Sequence, residues 1–240
     1  MDAKERLIVA LDVPNFAEAK ALVDALGESV SFYKVGMELF YGAGPDVVRY
    51  LKDRNKKVFL DLKLQDIPNT VAHALQVLTA LGADILNVHT VGGPKMMAEG
   101  ARAVKESAAQ LGKPAPQLIG VTVLTSMDAA QWQPLHYAKP IGEEVLELAA
   151  LAKESGLNGV VASPQEAAGI RQRCGRDFLI VTPGVRPAWA AANDQSRIAT
   201  PAAALQAGAT HLVVGRPITQ AADKKAAAEK VLEEMEGALQ

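Results

Sequence analysis

The chain has 240 residues, 49% of them hydrophobic and 22% charged, which supplies a sizeable core and excludes a disordered polymer. A formal charge of −2 leaves no cationic excess for a broad nucleic-acid or anionic-membrane surface, although one small cationic pocket is compatible with it. The single cysteine, Cys174, excludes an intrachain disulfide and suits a reducing compartment; it reads as a small, part-buried residue after a helix rather than as a nucleophile.

The first six residues, Met1-Asp2-Ala3-Lys4-Glu5-Arg6, lead straight into an apolar run with no signal-peptide core behind a basic start. No apolar stretch approaches the roughly 18 residues a membrane span needs, so a cytoplasmic location is expected. Runs rich in β-branched residues then alternate with longer Ala/Leu/Glu/Lys-rich segments. They predict strands over residues 7–13, 30–38, 57–64, 85–91, 117–125, 159–163, 179–185 and 211–216. Between them the helical pattern covers 16–26, 45–55, 70–81, 94–111, 142–155, 164–173, 201–207 and 219–239. Pro45, Pro94, Pro164 and Pro201 mark helix starts, the last behind Thr200 as N-cap, and Gly27, Gly82, Gly112, Gly156 and Gly208 mark helix ends.

Strand then helix, eight times over, is the pattern of an α/β protein with a (β/α)8 TIM barrel, expected as one domain over residues 1–240. An open doubly wound sheet shows similar alternation, but no G-x-G-x-x-G follows the first strand. Two connections, 126–141 and 182–199, are long for βα loops and lie on the face where barrels carry chemistry, as lids often do.

Side chains alternate across a strand, so Asp61 and Lys63 share one face of the third strand while Leu62 and Leu64 take the helix-facing side. The same parity groups Ile8, Ala10 and Asp12 in the first strand, and Phe32 with Lys34 in the second. Asp12, Lys34, Asp61 and Lys63 therefore converge on the barrel mouth, where unpaired charges cost several kcal/mol each. A lone Asp-x-Lys at a strand end is often only an ion pair; four such groups on three adjacent strands point to chemistry. Late in the chain, Thr182-Pro183-Gly184-Val185-Arg186-Pro187 ends the seventh strand and Val214-Gly215-Arg216-Pro217 the eighth, the usual phosphate position of this fold. Gly215 admits backbone N–H groups, a helix from about Thr219 offers its positive end, and Arg186 and Arg216 offer planar donors, unless they are ordinary surface arginines. The histidines His73, His89, His136 and His211 are scattered and no metal-binding motif occurs; His89 ends the fourth strand, facing the site or held as a hydrogen-bonded barrel residue.

The run Asp61-x-Lys63-x-x-Asp66-Ile67-Pro68-x-Thr70 resembles the signature of the orotidine 5′-monophosphate decarboxylase family. Leu11-Asp12, Lys34-Val35-Gly36, residues 122–126, residues 182–187, Asp194-Gln195 and Gly215-Arg216 match its other elements in order, over essentially the whole chain. The resemblance implies decarboxylation of orotidine 5′-monophosphate to uridine 5′-monophosphate and CO2 in de novo pyrimidine biosynthesis, with no cofactor and no metal. It makes Lys63 the proton donor to C6 and sets Asp61 beside the leaving carboxylate, with Lys34 and Asp66 completing an alternating charge chain. Asp12 and Lys34 would bind the ribose hydroxyls, Thr125 and Ser126 the pyrimidine, and Pro183 would line the ring pocket. Arg186, Gln195, Gly215 and Arg216 would hold the 5′-phosphate. A homodimer is implied, with Asp66, Ile67 and Thr70 reaching into the neighbouring subunit's site; no stripe of exposed apolar residues is evident in the sequence to announce that interface.

A 3-keto-L-gulonate 6-phosphate decarboxylase-like enzyme shares the Asp-x-Lys-x-x-Asp core but needs Mg²⁺, and the Ile67-Pro68-Asn69-Thr70 continuation favours the orotidylate reading. A phosphate-sugar epimerase would need paired His/Asp metal groups at strand ends. A non-catalytic nucleotide-binding barrel would not require Lys63 between two aspartates.

Overall fold

In a computed structural model that describes residues 1–190 and 199–239, all eight expected strands form. They are β1 (Leu7–Ala10), β2 (Phe32–Gly36), β3 (Lys57–Leu64), β4 (Ile85–His89), β5 (Gln117–Val121), β6 (Gly159–Val161), β7 (Leu179–Thr182) and β8 (His211–Val214). Each pairs in parallel with the next, and β8 returns to β1 through Val9 opposite Val214, closing the barrel.

Strand parity sorts the apolar residues into two cores. Ile8, Ala10, Phe32, Phe59, Ile85, Ile119, Val181 and Val213 fill the barrel interior. Their neighbours, such as Val9, Tyr33, Leu60, Leu86 and Leu212, face outward beneath the helices in a larger cluster. The barrel is thus plugged by side chains, and polar groups carried on the inner face above that plug stand at its C-terminal mouth.

The helix signals act as expected. The five glycines read as helix ends all adopt positive φ: 53° at Gly27, 84° at Gly82, 62° at Gly112, 84° at Gly156 and 107° at Gly208. A side chain is disfavoured in that region, which is why glycine closes these helices. Thr200 caps the helix Pro201–Gln206 through its hydroxyl, which accepts from the Ala203 N–H at 3.2 Å.

Strand ends are where sequence and structure part. Except for β3, every strand stops two to four residues short of the apolar run that predicts it. Leu11, Val123, Ala162 and Val185 lie past the ends of their strands yet remain buried, so hydrophobicity persists beyond the regular ladder. Two corrections follow. Met37, expected at the end of the second strand, instead opens the helix Met37–Ala43. The expected helix from about Thr219 is two, Arg216–Thr219 starting directly behind Gly215 and Lys224–Leu239. Among the described residues no helix is long and apolar enough to cross a membrane.

Candidate active site

Register places the charges of the first three strands side by side. Ala10 pairs with Lys34 and Gly36 with Asp61, so the inward side chains of β2 and β3 and the segment after β1 meet at one height. The Lys34 ammonium donates to Asp12 Oδ1 at 2.9 Å and lies 3.5 Å from Asp61 Oδ2; Lys63 Nζ donates to Asp61 Oδ1 at 2.7 Å. The result is an alternating array, Asp12–Lys34–Asp61–Lys63, with formal charges that cancel. A Cβ on Gly36 would stand 3.0 Å from Lys34 Nζ, so the glycine keeps room for this array.

Asp61 is the buried centre of the array. Burial alone would raise its pKa, but Lys34, Lys63 and the hydrogen bonds from Lys63 and Asn87 outweigh it and hold the carboxyl below the ordinary carboxylate range. Lys34 shows the complement: burial works against its charge, while Asp61 and Asp12 overcome that and raise its pKa. Both therefore stay ionised at neutral pH. His89, half-buried at the end of β4, is held neutral by burial and by the nearby Lys63 ammonium.

Lys63 reaches this position by a route that alternation did not contain. Its φ is +52°, and the pairing of β3 with β4 shifts register between Leu60 and Leu64. A bulge of this kind re-aims a side chain at a sheet rim. Asn87, on the inner face of β4, spans the irregularity: its Oδ1 accepts the Lys63 N–H at 2.8 Å and its Nδ2 donates to Asp61 Oδ1 at 2.6 Å. Its signal in the sequence was a polar residue two positions after Ile85, on the inward parity and between the apolar Leu86 and Val88.

Two adjoining cavities open over the array. One, of about 220 Å³, is bounded by Lys34, Asp61 and Lys63 below and by Val123, Leu124, Thr125 and Pro183 above. That equals about seven liquid-water volumes, the scale of one substituted six-membered ring. The other, of about 350 Å³, shares Lys34, Pro183 and Val213 with the first and runs past Asp12 to Arg186, Gly215, Arg216 and Gln220. Gln220, the C-cap of the short helix behind Gly215, carries no motif in the sequence that marks it for this cleft. Thr125 lines the smaller cavity, whereas Ser126 is exposed and outside both linings. Gln195 and its neighbour Asp194 lie outside the described residues.

Asp66, Ile67 and Thr70 are not drawn to the array of their own chain. All three are exposed, and the Asp66 carboxylate accepts from the adjacent Ile67 N–H at 2.6 Å. Ile67 is 66% exposed and Tyr41 72% exposed, and Met37, Val91 and Leu124 are exposed too. These follow the C-terminal ends of β2, β3, β4 and β5, which are neighbours in the barrel, so one side of the mouth carries an apolar surface that the sequence did not announce.

A further cavity, about 670 Å³, lies at the opposite end of the barrel, where Lys52 and Asp84 satisfy each other at 2.7 Å. His211 lines it on the inner face of β8, edge-on to Phe32. Burial, with Arg6 and Lys57 adding to it, lowers the His211 pKa to about 4. The unfolded chain protonates this imidazole near pH 6.5, so its contribution to stability is intact above about 6.5 and is lost as pH falls towards 4. The loss amounts to about 3 kcal/mol, and His211→Asn should remove that part of the slope in urea unfolding measured from pH 7 to 4. A mutant slope equal to that of the wild type refutes the assignment.

A family model described as the orotidine 5′-phosphate decarboxylase / HUMPS family matches residues 5–231. The chain is 52% identical over 237 residues to orotidine 5′-phosphate decarboxylase of Moorella thermoacetica, covering 98% of this chain and 94% of that one. It is 49% identical over 234 residues to the protein of the same name from Nostoc sp., covering 97% and 98%. Its fold matches the crystal structure of orotidine 5′-phosphate decarboxylase from Lactobacillus acidophilus with a TM-score of 0.85 at 41% identity, covering 95% of this chain and 98% of that one.

Proposed function

The chain belongs to the orotidine 5′-phosphate decarboxylase / HUMPS family, and from that premise we propose how it decarboxylates orotidine 5′-phosphate in pyrimidine biosynthesis. The observation that carries the reading is the Lys34–Asp61–Lys63 array beneath a ring-sized cavity that runs on to two arginines. The pyrimidine lies in the smaller cavity under Thr125 and Pro183, with C6 towards Lys63, while Ser126 stands outside its lining. Asp12 and Lys34 take the ribose hydroxyls. Arg186, Gly215 and Arg216, with Gln195, hold the phosphate.

The bond from C6 to the carboxylate breaks, CO2 leaves, and the electron pair stays on C6 in the ring plane. The Lys63 ammonium stabilises that charge as it forms and then gives its proton to C6, yielding uridine 5′-phosphate; solvent reprotonates the amine. Asp61 faces the substrate carboxylate. One repulsion at about 4 Å and an effective dielectric near 20 is worth roughly 4 kcal/mol. Barrier reductions of proficient enzymes reach about 20 kcal/mol or more, so repulsion is the smaller contribution. Most of the acceleration comes from the pre-placed charge of Lys63, supported by the remote phosphate grip.

The array is electrically neutral in one chain, and the substrate adds charge to it. Asp66 from a second chain would extend the alternation past Lys63, which the outward position of Asp66, Ile67 and Thr70 and the apolar surface beside them support. The working enzyme is therefore proposed as a cytoplasmic homodimer with shared sites, acting without metal or cofactor. Loss of the orotidylate absorbance on adding purified protein, at the same rate with and without EDTA, is the expected result. No loss overturns the reaction, and a rate abolished by EDTA and restored by Mg²⁺ overturns the metal-free mechanism.

A further inference from the structure

Lys63 holds the reactive charge from a backbone conformation that residues with a Cβ seldom adopt, at φ +52°. It does so where the β3–β4 register shifts, between Leu60 and Leu64. At that irregularity the Lys63 N–H donates to a side chain, Asn87 Oδ1, at 2.8 Å. The other end of the same amide donates to Asp61 Oδ1 at 2.6 Å, the oxygen that also receives Lys63 Nζ at 2.7 Å. Asn87 itself is 2% exposed, on a strand bonded to both β3 and β5.

We propose that Asn87 is a positioning residue for decarboxylation: one buried side-chain amide fixes the Lys63 backbone and the Asp61 carboxylate together, and so sets where the ammonium stands relative to C6. Aspartate and asparagine have the same shape, but only a group with one donor and one acceptor serves both partners. An anionic carboxylate would keep the Lys63 N–H and repel Asp61. Glutamine carries an extra methylene into a buried site. The inference concerns turnover more than affinity, because Asn87 is absent from the linings of both cavities.

The test is steady-state decarboxylation by Asn87→Ala and Asn87→Asp, with uridine 5′-phosphate affinity measured alongside. In Asn87→Ala, kcat should fall about 10- to 100-fold, the range of an oriented hydrogen bond to a charged group, with KM and product affinity within about threefold of wild type. In Asn87→Asp two carboxylates meet and share a proton. The protonated side chain restores donor and acceptor, so the ratio of its kcat to that of wild type should rise about tenfold as pH falls over roughly three units. A merely structural asparagine would not produce that profile. A kcat for Asn87→Ala within about threefold of wild type, a loss of product affinity matching the loss of kcat, or a flat Asn87→Asp ratio each overturns the inference; should Asn87→Ala not fold, the pH ratio alone decides. The inference rests on Lys63 as proton donor. An active Lys63→Ala defeats that premise, whereas an inactive Lys63→Ala beside an unimpaired Asn87→Ala defeats only the role of Asn87.

Discussion

Lys63→Ala should lower kcat by about 10⁴-fold or more, because the proposed mechanism asks one ammonium both to stabilise the developing C6 charge and to supply its proton. Binding of uridine 5′-phosphate should remain measurable, since its ribose and phosphate contacts are assigned to Asp12, Lys34 and the Arg186–Arg216 end of the cleft. The fold should tolerate the change. Asp61 keeps Lys34 at 3.5 Å and the Asn87 amide at 2.6 Å, so its carboxylate is not left buried and unpartnered. Alanine has a Cβ, so the backbone at position 63 is no more at ease than with lysine. What changes is the local charge, from a neutral four-residue array to a net −1 facing an anionic substrate. Retention of even a tenth of wild-type turnover, in single-turnover or steady-state assays, would remove Lys63 from the chemistry.

The difference between this residue and its neighbours shows what the sequence could carry. Parity in β2 and β3 brought Lys34 and Asp61 to one face because those strands are regular to that height, whereas Asp12 lies two residues past the end of β1 and still reaches Lys34 at 2.9 Å. Parity reached Lys63 too, but through a regular strand that does not exist there; the bulge and the positive φ depend on a tertiary partner, Asn87, that lies 24 positions away. Strand ends were overrun for a related reason. Leu11, Val123 and Val185 are as buried as strand residues, and hydrophobicity cannot report where a ladder stops. The arginine-lined end of the cleft, proposed for the phosphate, carried Gly215-Arg216 and Arg186 as its sequence signal, while Gln220 needed the short helix Arg216–Thr219 to bring it round. The exposed apolar side of the mouth was invisible because its residues come from four separate segments, each unremarkable alone.

That apolar side leads to the sharpest test of the shared site. Lys63→Ala and Asp66→Ala chains should each be nearly inactive alone, yet regain activity when mixed under conditions that allow subunit exchange. In a twofold dimer with sites completed across the interface, a mixed pair has one site lacking both groups and one lacking neither. Random exchange of equal amounts makes half the dimers mixed, so recovery should reach about one quarter of wild-type activity per site. Were Asp66 to act within its own chain, every site would lack one group and nothing would return. The geometry within one chain argues against that second case: the Asp66 carboxylate is exposed and takes the Ile67 N–H at 2.6 Å, while Lys63 turns to Asp61. Exchange has to be established independently, with two distinguishable labels followed by energy transfer. Proven exchange without recovered turnover would assign Asp66 elsewhere and leave the Asp12–Lys34–Asp61–Lys63 array to work as a site within one chain.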